Sequence, residues 1–276
     1  MPLRRIPYAP EATALVAADP RRPATGPSVG VDSGGASSAP RRGGALTVEF
    51  ADWEPVYERI LADFGFDRAA DERARDLLAA FAVPFDLDRL DCAGQTVAVV
   101  GAGPSLPDEV DRAASADRVF AASTATDVLL DRGVDVDLMV TDLDKNPSTA
   151  VALTREGVPV AAHAHGDNVP EIREWLPEFA AEHTLATTQA APRGPVVDFG
   201  GFTDGDRAAF LADHVDAAAL RFVGWDLDDA SVDPTKAHKL RWAARLLGWL
   251  ERRRGERFPL LDGVRDDLDV DEFVGE

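Results

Sequence analysis

The sequence predicts an α/β fold: a mainly parallel sheet flanked by helices, with an N-terminal helical cap. Three observations predict it. Short β-branched, apolar runs such as Thr96 to Val100 and Leu138 to Thr141 alternate with stretches of helical apolar period. The runs are continuously apolar rather than alternating, which suits strands buried on both faces. Each run gives way to a cluster of Gly, Asp, His, Thr or Arg, and open α/β sheets bind ligands beyond their strand ends.

The elements follow in order. Residues 1–45 are rich in Pro, Gly, Ala and Ser, carry the pairs Arg21-Arg22 and Arg41-Arg42, and hold no sustained apolar period. They read as a disordered segment, or as a stretch upstream of a true start near Leu46 or Val48. Residues 46–92 form the helical cap: Trp53, Tyr57, Ile60, Leu61 and Phe64 recur at helical spacing, and Leu77, Leu78 and Phe81 mark a second helix that Pro84 stops. Residues 93–260 form the α/β domain. Its strands are expected over Thr96 to Val100, Arg118 to Ser123, Leu138 to Thr141, Pro159 to His165, Thr184 to Gln189, Val196 to Phe199 and Leu220 to Trp225. Its helices are expected over Thr124 to Asp131, Thr203 to Val215 and Lys236 to Arg254, the last with Leu240, Ala243, Ala244, Leu247 and Leu250 as its stripe. Residues 261–276 are an acidic tail, expected to be loose.

Composition narrows the function. The net charge is -20, 34 of the 49 acidic residues are Asp, and only three of the 29 basic residues are Lys. Such a surface suits solubility at high salt, where charge repulsion is screened, and points to a halophile's cytoplasm. Nucleic acid and anionic membrane are poor partners for it. The single Cys92 excludes an intrachain disulfide and a Cys-based zinc site. No apolar run approaches the roughly 18 residues of a membrane span, and the N-terminus has no apolar core for a signal peptide. A cytoplasmic protein acting on small molecules is expected; a homo-oligomer is compatible with this reading.

The strand exits carry the chemistry. The run ending in Thr141 leads into Asp142-Leu143-Asp144. On an extended strand that spacing places both carboxylates on one face. There they would hold a hard divalent cation such as Mg²⁺, unless they belong to a solvated acidic loop. After the first strand comes Gly101-Ala102-Gly103-Pro104-Ser105-Leu106. Its glycines allow close backbone approach, and Pro104 fits the first turn of a helix whose exposed amides suit a phosphate. After the fourth come His163-Ala164-His165-Gly166-Asp167-Asn168, candidates to orient a heterocycle or phosphate, or to ligate a transition metal. Thr187-Thr188-Gln189 follows the fifth. Then comes Gly200-Gly201-Phe202-Thr203-Asp204-Gly205-Asp206-Arg207, where Thr203 or Asp204 could cap a helix, Asp204 or Asp206 could bind ring nitrogens or assist a metal, and Arg207 could neutralise phosphate oxygens. Two of the three lysines, Lys236 and Lys239, sit on the late helix, and the third, Lys145, abuts the paired aspartates. Together these suit a nucleotide with Mg²⁺ and an in-line phosphoryl or diphosphoryl transfer.

The ordered set G-A-G-P-S-L, T-D-L-D, H-A-H-G-D-N, T-T-Q, G-G-F-T-D-G-D-R-A and K-A-H-K-L, spanning about Val48 to Leu250, resembles the archaeal 6-hydroxymethyl-7,8-dihydropterin pyrophosphokinases. The resemblance implies a Rossmann-like core similar to that of thiamine pyrophosphokinases. It also implies Mg²⁺-dependent transfer of diphosphate from ATP to a reduced pterin, releasing AMP, on the route to tetrahydrofolate or tetrahydromethanopterin. On that analogy Asp142 and Asp144 hold the metal; the strand-exit pattern itself assigns the other expected roles, with Arg207 serving catalysis beside the pair. Gly101, Gly103, Pro104, Ser105, Lys236 and Lys239 meet ATP. His165, Asp167, Asn168, Gln189, Asp204 and Asp206 meet the pterin, or in the case of Asp206 the metal. Two competitors share parts of the pattern: a nucleotide-sugar glycosyltransferase with its own D-x-D pair, and a non-enzymatic nucleotide-binding protein.

Overall fold

The structure, a computed structural model, describes residues 48–273. Two helices open it, α1 (Phe50–Phe64) and α2 (Arg68–Leu78), followed by a regular alternation: β1 (Thr96–Val100), α3 (Leu106–Ala114), β2 (Arg118–Ala122), α4 (Ala125–Asp131), β3 (Leu138–Thr141), α5 (Pro147–Arg155), β4 (Val160–Ala164), α6 (Val169–Trp175), β5 (Thr184–Thr188), α7 (Asp204–His214), β6 (Ala219–Val223) and α8 (Pro234–Arg254). The six strands are all parallel, in the order β5-β4-β3-β2-β1-β6. The chain walks outward from β1 to β5, then returns through α7 to lay β6 on the other side of β1. All six carboxyl ends therefore lie along one edge, and the polar clusters that follow them are brought to it.

Alternation of side chains along each strand divides the core. Val97, Val99, Phe120, Leu138, Val140, Leu185 and Phe222 face one side, where α1, α7 and α8 cover them with Trp53, Tyr57, Phe210 and Trp249. Ala98, Val100, Val119, Ala121 and Val223 face the other, under α3 and α4. Met139, Val160, Ala162, Ala164 and Ala186 continue that second face under α2, α5 and α6. The sheet is thus buried on both faces, as its continuous apolar strands require. No helix among the described residues is long and apolar enough to cross a membrane.

Three expectations change. Val196 to Phe199 is not a strand: Val197 exchanges two backbone hydrogen bonds with β5, donating to Ala186 O at 3.0 Å and accepting from Thr188 N at 2.9 Å, and the pairing stops there. Pro195 has no amide to continue the ladder, and Asp198 Oδ1 takes the Gly200 N–H at 3.1 Å instead. Helices α5 and α6 add to the expected set, and the helix expected to hold Pro104 in its first turn is α3, which begins later, at Leu106. All three are short and open with a proline in the first turn, Pro107, Pro147 or Pro170, too little length to show a period.

The tail is not loose as far as Phe273. Phe273 is buried and stacks on Trp242 at 5.9 Å and edge-on to Trp249 at 6.2 Å, while Arg245 lies over its ring at 4.9 Å. Replacing Phe273 with alanine is expected to cost about 2–3 kcal/mol, the low end for a buried aromatic because the chain end can relax. Urea denaturation of Phe273→Ala checks this, and an unchanged midpoint would show that the tail is not docked in solution.

Candidate active site

The strand exits and α2 enclose a cavity of about 410 Å³, open to solvent, large enough for a small ligand. Its wall carries Gly101, Gly103, Pro104, Asp142, Asp144, Lys145, His165, Asp167, Gln189, Asp204, Arg207, Lys236 and Lys239. All three lysines of a chain with net charge -20 therefore line one cavity.

The acidic pair is built on a turn, not on an extended strand. β3 ends at Thr141, whose hydroxyl accepts the Leu143 N–H at 2.9 Å, and Leu143 adopts a left-handed conformation with φ 69°. A buried leucine in that region costs about 1–2 kcal/mol. The turn keeps Leu143 in the core and aims Asp142 and Asp144 together at the cavity, where the Asp144 amide donates to Asp142 Oδ1 at 3.4 Å. Burial works against ionising Asp142. Hydrogen bonds from His165 and Asp144, together with the Arg207 charge, outweigh it and hold that carboxyl well below its usual range. Burial and then the Asp142 charge push Asp144 the other way, up to about 6. Asp204 is pushed up to about 7, by burial first and then by Asp142, with Arg207 working against the shift. Lys145 and Arg207 thus offset only part of the crowding.

These oxygens suit a hard divalent cation, which would let all three carboxylates ionise together. Among the described residues no three His, Cys, Asp or Glu side chains converge as a ready-made cage. Asp142 and Asp144 would therefore hold such an ion jointly with oxygens of a bound substrate.

His165 supports this end. Its Nδ1 accepts the Asp167 N–H at 3.3 Å, which leaves Nε2 as the donor, 3.6 Å from Asp142 Oδ2. Arg207, at the start of α7, reaches Asp204 Oδ1 at 3.0 Å and Gln189 Oε1 at 3.2 Å. Its backbone fits only because residue 201 is glycine: at φ 93° a Cβ there would stand 2.7 Å from the Arg207 Cα. Phe66, Phe202 and Trp225 supply aromatic wall, and Lys239 Nζ lies 5.8 Å over the Phe202 ring.

Five expected contact residues have other work. Ser105 gives its amide (3.0 Å) and hydroxyl (2.8 Å) to Asp226 Oδ2, so the anion at the start of α3 is the protein's own carboxylate. The glycines of that loop serve packing. A Cβ at Gly101 or Gly103 would stand 2.7 Å from the Gly224 carbonyl, and one at Gly103 2.3 Å from Asp226 Oδ2. Asn168 is buried; its amide ties Asp142 O and His163 O, each at 2.7 Å, and its carbonyl oxygen accepts from His165 N. Asp206 is buried in the capping box of α7, where its oxygens accept from Phe202 N at 2.7 Å and Thr203 N at 2.8 Å and from the Thr203 hydroxyl. Its carboxylate is fully buried and lies off the cavity wall. His163, a candidate ligand from its place on the strand, is fully enclosed, and burial holds it neutral.

Sequence reasoning missed Asp71 and Asp226 and left Lys145 unassigned. Asp71 had a signal: it occupies the first position of the buried α2 stripe Asp71, Ala74, Arg75, Leu78, where a carboxylate is out of place unless bound.

The Asp204 shift has a signed consequence. Its carboxyl holds a proton in the folded state above its unfolded range, so its contribution to stability is complete below about pH 4 and is lost as pH rises through about 7. Asp204→Asn removes that loss. In metal-free buffer its melting temperature minus that of the wild type is expected to rise between about pH 5 and about pH 8, the window that brackets the shift. A constant or falling difference would contradict the assignment.

The chain matches the family model described as 6-hydroxymethylpterin diphosphokinase MptE-like over residues 76–231. It is 39% identical over 220 residues to a 6-hydroxymethyl-7,8-dihydropterin pyrophosphokinase of Methanothermobacter thermautotrophicus, covering 72% of this chain and 94% of that protein. It is 36% identical over 225 residues to the protein of the same name from Pyrococcus furiosus, covering 74% and 95%. The family match takes in β1 to β6 and the strand-exit clusters that line the cavity, and by it and the relatives the chain belongs to the MptE-like 6-hydroxymethylpterin diphosphokinase family.

Proposed function

We propose that this protein transfers diphosphate from ATP to the hydroxymethyl group of 6-hydroxymethyl-7,8-dihydropterin, with Mg²⁺ held by Asp142 and Asp144. The product would serve tetrahydrofolate or tetrahydromethanopterin synthesis in the cytoplasm. The observation that carries the reading is a single cavity in which three carboxylates crowd against each other while Arg207, Lys145, Lys236 and Lys239 line the same wall. Such an array suits a polyphosphate and its cation, and little else in so acidic a chain needs four cations together. The names of the relatives support the same substrate.

The pterin oxygen attacks the β-phosphorus of ATP. The new bond is O–Pβ, and the bond broken joins Pβ to the oxygen bridging it to the α-phosphorus. That oxygen leaves with AMP, and the hydroxymethyl proton is lost to solvent. Asp142 and Asp144 would hold the cation, which would supply neutralisation of the phosphate charge. Lys236 is set up for phosphate contact. Burial, then the neighbouring Lys145 charge, lower its affinity for a proton, and an anion placed between the two ammonium groups relieves both. Arg207, anchored at Asp204 and Gln189, presents a rigid fork to the transferring group. Asp167 lies on the cavity wall and is free to read the pterin edge; Phe66 and Phe202 offer ring faces to stack it. Gln189 and Asp204 contribute to ligand contact through the groups they hold.

The test is incubation of the purified protein with ATP, Mg²⁺ and the reduced pterin at high salt. One AMP should appear for each pterin diphosphate. Asp142→Asn combined with Asp144→Asn should lower the rate by at least about 10³-fold, the several kcal/mol that a bound cation contributes to a charged transition state, and chelation by EDTA should do the same to the wild type. Wild-type turnover by the double variant would remove the metal assignment. Transfer of a sugar, or nucleotide binding without turnover, would remove the diphosphotransferase reading.

A further inference from the structure

Asp71 belongs to the cap, far in sequence from every strand-exit cluster, yet its carboxylate is 3% exposed and reaches the cavity wall. Its Oδ2 accepts from the Tyr57 hydroxyl and from Gln189 Nε2, both at 2.7 Å, and its Oδ1 accepts from the Gly166 amide at 2.7 Å. The carboxylate can only accept, so the Gln189 amide has one allowed orientation: its NH₂ toward Asp71 and its oxygen toward Arg207 Nη2 at 3.2 Å. Arg207 then continues to Asp204 through Nη1 at 3.0 Å. The Arg207 Nε has no partner among the described residues, so these two contacts hold the guanidinium plane. A flipped Gln189 would set oxygen against carboxylate and NH₂ against guanidinium inside a buried network, where unmatched polar pairs are costly.

We propose that Asp71 is a positioning residue for diphosphate transfer: through Gln189 it fixes the plane in which Arg207 presents its guanidinium to the phosphate. The docking of α2 on the sheet and the orientation of the Arg207 cation are then one event. Gly166 belongs to the same joint. A Cβ there would stand 2.6 Å from the Ala70 Cβ, so the loop after β4 lies directly against α2. The proposal rests on the diphosphotransferase reading.

The relay can be broken and rebuilt. The Gly166 amide is a backbone donor that cannot turn, so in Asp71→Asn the new oxygen stays toward Gly166 and the NH₂ faces the Gln189 NH₂; Gln189 turns, and Arg207 loses its acceptor. The double variant Asp71→Asn with Gln189→Glu restores the match. The new amide at position 71 donates to the new carboxylate at position 189, which in turn accepts from Arg207; shape and net charge are unchanged. Asp71→Asn alone is expected to lower kcat by about 10–100-fold, the cost of one misplaced charge-assisted contact, with KM for ATP and pterin changed less than about threefold. The double variant is expected to return kcat to within about fivefold of the wild type, above either single change. Tyr57→Phe removes a different hydrogen bond to the same carboxylate without touching Gln189. It should lower the melting temperature but leave kcat within about twofold.

A double variant no faster than the slower single, or a Tyr57→Phe protein as slow as Asp71→Asn, would overturn the proposal while leaving the reaction intact. A wild type that makes no pterin diphosphate would instead sink the functional reading. The same cycle is then read in crystal structures of the variants: an Arg207 guanidinium that loses its Gln189 acceptor in Asp71→Asn and regains one in the double variant supports the relay, and a guanidinium that never moves rejects it.

Discussion

Three carboxylates share a cavity in which burial and the charge of one oppose ionisation of the other two. Asp142 keeps its charge, and Asp144 and Asp204 are pushed toward neutrality by burial and by Asp142. Much of the local structure serves to hold that arrangement. Left to itself, a chain would relieve it by turning one carboxylate to water. Here the left-handed Leu143, seated in the core, makes that turn unavailable without exposing a leucine. His165 and Arg207 steady two of the three acids, and Arg207 is itself fixed only because Gly201 lets the chain pass within van der Waals contact of it. The energy stored in this crowding is available to whatever cation and anion enter together, which is the logic of a site that binds a metal nucleotide.

The cap completes the site rather than sitting beside it. Trp53 donates to Gln189 O at 2.9 Å, Arg75 to Ala191 O at 2.8 Å, and Asp71 gathers Tyr57, Gly166 and Gln189. Each of these hydrogen bonds from the cap to the α/β domain lands on a loop that follows β4 or β5. On the other side, Asp63 accepts from Trp242 at 2.6 Å and lies 2.7 Å from His238 Nε2, tying α1 to α8, the helix that carries Lys236 and Lys239. The acidic wall and the basic wall are thus referred to the same two helices.

Much of the fold was legible because its strands are buried on both faces. Val97 to Val100 and Leu138 to Val140 read as apolar runs whatever lies around them. Their order in the sheet was not legible, since nothing local distinguishes β6 beside β1 from β6 beside β5. At the site, the meeting of Asp142, Asp144, Arg207, Lys236 and Lys239 at one cavity was legible because each follows a strand or stands out against the composition. The roles of Ser105, Asn168 and Asp206 were not. Each is a polar residue at a strand exit, and whether its donors and acceptors face a ligand or the backbone depends on atoms that the sequence places elsewhere, such as Asp226 for Ser105. Asp71 was hidden by its setting among the charges of Arg68-Ala69-Ala70-Asp71-Glu72-Arg73, a stretch that reads as a solvated, salt-bridged helix face.

The most direct measurement of the central claim is a titration with Mn²⁺ in place of Mg²⁺, followed by electron paramagnetic resonance in the presence of a non-hydrolysable ATP analogue. One tightly bound Mn²⁺ per chain is expected for the wild type, and none when both Asp142 and Asp144 are replaced by asparagine. A bound ion that survives in that double variant would contradict the account, because the cavity's cation would then be held by other groups.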